Sequence, residues 1–202
     1  MSIPKIPFFL VCVAILLSVA PAGANDTGEQ AVIIPEPNPM DRNSHRKIST
    51  WHDLRWQRTI PQTLETSCSA GAIATLLHFH FDDPTGEKEV LTWIGDYRQS
   101  RFPGEEQRRG VSMAEMRVFL ESRGYAATGF AVKSGAKVRS LPKISAPVIL
   151  HLERWEQGHF VLLESVREGW ARIADPAQGN RRVPVAELAD RWSGKFLTVK
   201  RR

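Results

Sequence analysis

The sequence predicts an α+β fold, with N-terminal helices packed on a C-terminal antiparallel sheet. Two observations lead to this prediction. Up to Gly124, apolar residues recur at the three- and four-residue spacing of buried helical faces; beyond Gly124, short apolar stretches alternate with turn residues, as in strands. Helices followed by strands are the pattern of an α+β domain. The 202 residues, 42% of them hydrophobic and 24% charged, suffice for one domain with a buried core.

The N-terminus has the composition of an export signal. Lys5 supplies a positive start, Phe8 to Ala20 an apolar run, and Ala22-Gly23-Ala24 small residues for cleavage. Residues 1–24 are therefore predicted to be a signal peptide, and an uncleaved membrane anchor is the alternative. Residues 25–50 are rich in proline, asparagine and charge and predict a flexible linker, so the ordered domain is expected over residues 51–202.

The two cysteines predict no intramolecular disulfide. If cleavage follows Ala24, Cys12 leaves with the signal peptide and Cys68 is alone in the mature chain. An unpaired cysteine in an exported protein is buried and inert, bridged to another molecule, or reactive. Removal of residues 1–24 takes away Lys5 and no acidic residue, so the formal net charge of +5 becomes a mild +4. The basic clusters lack interleaved aromatic residues, so no nucleic-acid partner is predicted.

The stretch from Gln62 to Leu77 predicts a helix that begins beside Cys68. Thr66 or Ser67 can cap its N-terminus, and apolar residues follow at helical spacing at positions 70, 73, 74 and 77. Cys68 then lies in the first turn, where unpaired backbone N–H groups and the positive end of the helix dipole favour a thiolate. The position alone fits a small core residue equally well.

Two further helices and a sheet are predicted downstream. Asp82-Asp83-Pro84 ends the first helix, a second runs from Thr85 to about Asp96, and a basic loop covers Arg98 to Gly110. Ser112 and Glu115 form a capping box at the start of the third helix. Strands are predicted over residues 125–132, 147–152, 158–166, 170–174 and 196–199, with a short helix over residues 185–192.

Two residues of the predicted hairpin supply a candidate base for Cys68. His159 opens one arm and Asp175 closes the other, on either side of a turn at about Glu168, so antiparallel pairing returns Asp175 close to His159. A histidine beside a carboxylate can deprotonate a thiol and later protonate a leaving amine. Each residue alone has a structural explanation, as a strand-edge histidine or as a turn residue before proline.

Gln62 is a candidate for stabilising an oxyanion. Acyl transfer through a thiolate places negative charge on the former carbonyl oxygen, and a side-chain amide N–H together with the backbone N–H of Cys68 could receive it. A surface glutamine is the alternative. A metal site formed by His78, His80 and the two following aspartates is not favoured, because histidines two apart do not share a helical face. No metal and no cofactor are therefore predicted.

Three motifs in this order resemble the bacteriocin-processing peptidases, family thirty-nine of the cysteine peptidases, which have a papain-like fold. They are Gln62 followed by Cys68 at the start of a small-residue helix, Gly158-His159-Phe160-Val161-Leu162 on a strand, and Ile173-Ala174-Asp175-Pro176. The resemblance runs from about Trp56 to Val199. It implies that Cys68 is the nucleophile, His159 the general base and acid, Asp175 the orienting carboxylate and Gln62 the oxyanion donor.

The resemblance also implies a peptide substrate. Members cut leader peptides after paired small residues, usually glycine, and many are parts of ATP-driven exporters. This chain differs in Ser69, where the family commonly has glycine, and in its own signal peptide, which makes it more similar to the stand-alone exported peptidases of functional-amyloid secretion operons. The expected function is a periplasmic cysteine peptidase that cleaves a segment of an exported protein, with secretion or amyloid-export machinery as possible partners. A non-catalytic peptide-binding module and a papain-like acyl transferase are the alternatives.

Overall fold

A computed structural model describes residues 50–104, 110–153 and 158–202. The predicted signal peptide, residues 1–24, and the predicted linker up to residue 49 lie outside the described residues. Within the described ranges, no helix combines the length and apolar character that a membrane span requires.

Six α-helices lie in the described part of the chain. They are α1 (Trp51–Trp56), α2 (Cys68–Phe81), α3 (Glu87–Arg101), α4 (Met113–Ser122), α5 (Lys137–Ser140) and α6 (Val185–Arg191). The predicted capping box is present at α4, because Ser112 accepts from the backbone N–H of Glu115 and the Glu115 carboxylate accepts from that of Ser112. Helix α2 ends at Phe81 and is followed by the C-cap residue Asp82, which adopts a left-handed backbone conformation.

The strands of the described residues form one antiparallel sheet of six in the order β1-β6-β2-β3-β4-β5. Their bounds are β1 (Tyr125–Ala131), β2 (Val148–Leu152), β3 (His159–Arg167), β4 (Trp170–Asp175), β5 (Gly179–Pro184) and β6 (Trp192–Arg201). The predicted α+β fold class, with helices preceding an antiparallel sheet, is confirmed.

The sheet has a hydrophobic core on each face. Side chains alternate between faces along a strand, so Leu162 packs with α2, α3 and α4, whereas Val161 and Leu163 belong to a second cluster. That second cluster includes Leu188 of α6 and the buried Trp192. Helix α2 is buried along its first ten residues because the sheet and two helices surround it.

Several elements differ from the sequence prediction. Helices α1 and α5 were not predicted, and α3 begins at Glu87 rather than at Thr85. Helix α3 continues to Arg101, so the expected basic loop starts later, and residues 105–109 of it lie outside the described residues. Strand β5 was not predicted, because its polar Asn180-Arg181-Arg182 run lacks an apolar pattern; it pairs only at the sheet edge. Strand β6 extends over residues 192–201 because both β1 and β2 pair with it.

Candidate active site

Cys68 is the first residue of α2 and is buried, with 9% of its surface exposed. The preceding Ser67 occupies the N-cap position, as expected, yet its side chain makes no capping hydrogen bond. Its hydroxyl instead lies 2.5 Å from Oε1 of Glu87 and accepts from the backbone N–H of Leu64. The first-turn N–H groups of α2 are therefore not capped by this hydroxyl, and the N–H of Ser69 is close enough to bond the Cys68 sulfur.

His159 and Asp175 meet at one end of the β3–β4 hairpin. Nε2 of His159 lies 2.8 Å from Oδ1 of Asp175, and the same carboxylate oxygen accepts from the backbone N–H of Ala177. The His159 imidazole is also within hydrogen-bonding reach of the Cys68 thiol. The structure thus brings together three of the four predicted site residues in one hydrogen-bonded chain.

Electrostatics in this chain favour a charged cysteine–histidine pair. Burial by itself raises the pKa of Cys68, but hydrogen bonds from His159 and from the N–H groups of Phe160 and Ser69 outweigh it, so the pKa lies below its ordinary value. Burial lowers the pKa of His159, whereas hydrogen bonds to Asp175 and Cys68 raise it to about 9. Burial likewise opposes the charge of Asp175, yet the His159 hydrogen bond keeps its pKa low.

Gln62, the fourth predicted residue, lies at the start of the segment that leads into α2. Its backbone N–H donates to the carbonyl of Pro176 at 2.8 Å, which ties this segment to the residue after Asp175. Its side-chain Nε2 donates to the carbonyls of Leu64 at 2.8 Å and Glu65 at 3.2 Å. Within the described part of the chain, its buried Oε1 has no hydrogen-bond partner. The oxyanion role stays a prediction. It requires one of the two hydrogen bonds from the Gln62 amide, to Leu64 or to Glu65, to break so that an N–H group can reach the oxyanion.

A buried carboxylate that sequence reasoning did not identify supports this segment. Glu87, the first residue of α3, is 5% exposed and accepts hydrogen bonds from Thr63 and Ser67. Acidic residues are common in the first turn of a helix, so its sequence position carried no distinguishing signal. Only the approach of α3 to residues 63–67 reveals the contact.

The two histidines near the end of α2 lie elsewhere. His80 Nε2 is 3.8 Å from the buried Glu164 carboxylate, which Arg58 and Arg172 also approach at 3.6 and 3.5 Å. In the described ranges, no group of three or more histidine, cysteine, aspartate or glutamate side chains is arranged to hold a metal ion. The positive charges of Arg58 and Arg172 also make the His80–Glu164 pair an unsuitable site for a cation.

The arrangement supports nucleophilic acyl chemistry. A thiolate at a helix N-terminus, an imidazolium beside it and a carboxylate behind the imidazole are the groups that form a thioester and then protonate a leaving amine. Unpaired backbone N–H groups at a helix N-terminus can also receive an oxyanion.

The chain is similar to known proteins in both sequence and structure. The Probable functional amyloid protease FapD of Pseudomonas aeruginosa is 26% identical over 155 residues, which are 77% of this chain and 66% of that protein. The peptidase domain of Streptococcus ComA superposes with a TM-score of 0.60 at 11% identity, covering 72% of this chain and 98% of that domain. A double glycine motif protease from an AMS/PCAT transporter, solved in complex with the leader peptide, superposes with a TM-score of 0.56 at 24% identity. The match covers 71% of this chain and 90% of that protease.

The two structural matches establish the papain-like peptidase fold. The chain spans about two thirds of the length of the FapD relative. The sequence pattern described as the Peptidase C39 family matches residues 57–202, which include all four predicted site residues. Since this match covers well over half of the chain, the protein belongs to the Peptidase C39 family of cysteine peptidases.

Proposed function

We propose that this protein is an exported peptidase that cleaves an extended segment of a secreted protein, with Cys68 as the nucleophile. The observation that carries the proposal is the hydrogen-bonded chain from Cys68 through His159 to Asp175. Family membership defines the reaction class, and the buried geometry supplies the charged pair on which that reaction depends.

The proposed reaction proceeds through a thioester. The Cys68 thiolate attacks the scissile carbonyl carbon, and the backbone N–H of Cys68 and a released N–H of Gln62 receive the oxyanion. His159 gives its proton to the leaving amine as the C–N bond breaks. A water molecule, deprotonated by His159, then attacks the thioester carbon. The C–S bond breaks, the carboxylic acid product leaves, and the Cys68 thiolate and His159 imidazolium are restored. Asp175 holds the imidazole tautomer throughout, through its hydrogen bond to Nε2.

The proposed substrate is a leader or linker segment of an exported protein. The FapD relative is called a functional amyloid protease, and the AMS/PCAT protease was solved with a leader peptide. A comparable segment, presented by a secretion or amyloid-export machinery, would be cut here. The proposed location is the periplasm, because the first 24 residues have the composition of a cleavable signal peptide.

Substitution of the nucleophile tests this function. Cys68→Ala should reduce processing of secreted proteins by at least about 1,000-fold, because loss of a nucleophile removes the covalent route. The thermal midpoint should stay close to that of the wild type, since alanine fills most of the volume. The measurement is mass spectrometry of secreted proteins from cells that express each form, and retained cleavage in Cys68→Ala would refute the assignment.

The same cultures test the export proposal. The wild-type chain recovered from the periplasm should begin after Ala24 and contain one titratable thiol, that of Cys68, because Cys12 is removed. A full-length chain found only in the membrane fraction would contradict cleavage and support the anchor alternative.

One observation favours a second candidate, a module that binds peptide without cutting it. Both amide hydrogens of Gln62 are directed to the carbonyls of Leu64 and Glu65 rather than toward Cys68. Stoichiometric peptide binding without turnover, unchanged in Cys68→Ala, would establish this candidate. If the product instead carries a joined amine in place of added water, the reaction is acyl transfer.

A further inference from the structure

We propose that Glu87 is a positioning residue for the proposed peptidase reaction, holding the segment that carries Gln62 and leads into Cys68 in its active conformation. The inference depends on the proposed function, since it concerns the same site. Glu87 is distant in sequence from each of these residues, and nothing in its local sequence distinguishes it from other acidic residues at helix starts.

The Glu87 carboxylate binds the segment at both ends. Oε1 accepts from the backbone N–H of Thr63 at 2.8 Å and from the Ser67 hydroxyl at 2.5 Å, while Oε2 accepts from the Thr63 hydroxyl at 2.7 Å. Thr63 directly follows Gln62, and Ser67 directly precedes Cys68. One buried group therefore fixes the residues next to both predicted oxyanion donors.

Burial makes this contact consequential. Glu87 is 5% exposed and Ser67 is fully buried, so water is a poor substitute for the lost acceptor. Hydrogen bonds to a charged acceptor are stronger than neutral ones, and removal of a buried partner leaves its donors unsatisfied. Loss of the Glu87 carboxylate would leave the N–H and hydroxyl of Thr63 without this acceptor and would leave the Ser67 hydroxyl with the Leu64 carbonyl alone, at 2.9 Å. The N-terminal end of α3 adds a favourable dipole for the carboxylate at this position.

The contact also directs the Ser67 hydroxyl away from α2. A serine at the N-cap ordinarily accepts from a first-turn N–H group, but this hydroxyl accepts from the backbone N–H of Leu64. Its proton has two acceptors, Oε1 of Glu87 at 2.5 Å and the Leu64 carbonyl at 2.9 Å, and the shorter contact is to Glu87. The backbone N–H groups at the start of α2 are consequently left for the Cys68 sulfur and for an oxyanion. Glu87 acts through Thr63 and Ser67 and does not itself touch the reacting atoms.

The test compares Glu87→Ala with Glu87→Gln, using Glu89→Ala as the matched control. Glu89 lies on the same helix, is exposed and pairs with Arg123. The probes are a fluorogenic peptide with Gly-Gly before an aminocoumarin, and a peptide ending in glycinal, whose aldehyde forms a tetrahedral adduct with the thiol. The adduct places an oxygen in the oxyanion position, so its affinity reports on that position directly.

Loss of a correctly placed oxyanion donor costs about 100-fold or more in kcat, so Glu87→Ala should lose about that factor in kcat and in aldehyde affinity, with KM within about threefold of the wild type. Glu87→Gln should recover most of both losses, because its amide oxygen can accept from Thr63 and Ser67. Glu89→Ala should match the wild type in all three quantities.

A wild-type kcat and aldehyde affinity in folded Glu87→Ala, whatever its thermal midpoint, would overturn the inference. If Glu87→Ala does not fold, Thr63→Val removes only the bond to Oε2, and it should lower kcat and aldehyde affinity together; unchanged values would overturn the inference. Two results together would refute the proposed function itself: the wild-type protein reacts with neither probe, and the Cys68→Ala variant still processes the secreted substrate. If the wild-type protein is active and Glu87→Ala has the same kcat and aldehyde affinity, only the positioning role of Glu87 is refuted.

Discussion

At the residue scale, the site combines three buried groups with shifted pKa values: those of Cys68 and Asp175 are lowered, and that of His159 is raised. His159 and Asp175 are 7% and 3% exposed, and burial alone would disfavour the charged form of each of the three site residues. Hydrogen bonding reverses this tendency because each charged group has an oppositely charged or polar neighbour. Both shifts therefore favour a Cys68 thiolate beside a His159 imidazolium over a neutral thiol beside a neutral ring.

The pH dependence of activity follows from these shifts. The ion pair exists between the lowered pKa of Cys68 and the pKa of about 9 for His159, so kcat/KM should fall as pH rises through that upper value. Asp175→Asn removes the charge that raises the pKa of His159, and the upper limb should move to lower pH. The measurement is kcat/KM against pH for both forms. An upper limb at the same pH in both would contradict this origin.

The same His159 shift has a stability consequence of defined sign. Its pKa in the folded protein, about 9, exceeds its ordinary value of 6.5, so protonation stabilises the fold. This contribution is complete below the unfolded value and is lost as pH rises toward about 9.

At the element scale, the start of α2 is held against the chain that follows Asp175. A β-carbon added at Gly71 would lie 2.8 Å from Cβ of Pro176 and 3.3 Å from the carbonyl oxygen of Ile60. The absence of a side chain at Gly71 is therefore what allows the helix to approach Pro176. This contact and the Gln62 backbone bond to Pro176 together set the distance between Cys68 and the His159–Asp175 pair.

Gly71→Ala should separate these elements. Overpacking of this kind costs about 1–3 kcal/mol of stability, and a displacement of about 1 Å at a reacting group can cost about 100-fold in rate. Gly95→Ala is the control, because an added β-carbon there meets nothing within 4 Å and removal of a helical glycine should stabilise α3 slightly. Unfolding in urea and kcat/KM are the measurements. Gly71→Ala activity equal to that of the control would show that this contact does not position Cys68.

At the scale of the whole molecule, one sheet carries both hydrophobic cores. Strand β6 lies between β1 and β2 and contributes Leu197 to the core under α2 and Phe196 to the core under α6. The site lies at the end of β3 and β4, which also contribute to both cores. Loss of packing on the face opposite α2 should therefore weaken the whole domain.

Trp192→Ala tests this coupling. Trp192 is fully buried, and its indole N–H donates to the carbonyl of Lys195 at 2.8 Å. Its truncation should lower the free energy of unfolding by about 3–5 kcal/mol, as for other buried aromatic residues. Trp170→Ala, at a position 41% exposed, should cost far less. Denaturant unfolding followed by circular dichroism measures both, and similar effects of the two substitutions would contradict the assigned role of the second core.

The sequence by itself predicted α2, α3, α4 and α6, five of the six strands, the α4 capping box, and the three residues Cys68, His159 and Asp175 that the fold brings together. These depend on local patterns: helical spacing, a capping pair, turn residues and three motifs in a fixed order. The proximity of His159 to Asp175 also followed from the sequence, because a short turn returns the chain on itself.

Tertiary structure decided on which face these two residues meet. In the hairpin, Arg167 pairs with Trp170, and without interruption Asp175 would stand opposite Leu162, on the other face from His159. The register shift between Leu163 and Ser165 moves that partner by one residue, which puts both side chains on one face. Only the folded chain likewise reveals the Glu87 contact and the local use of the Gln62 amide, because both depend on groups that packing brings together.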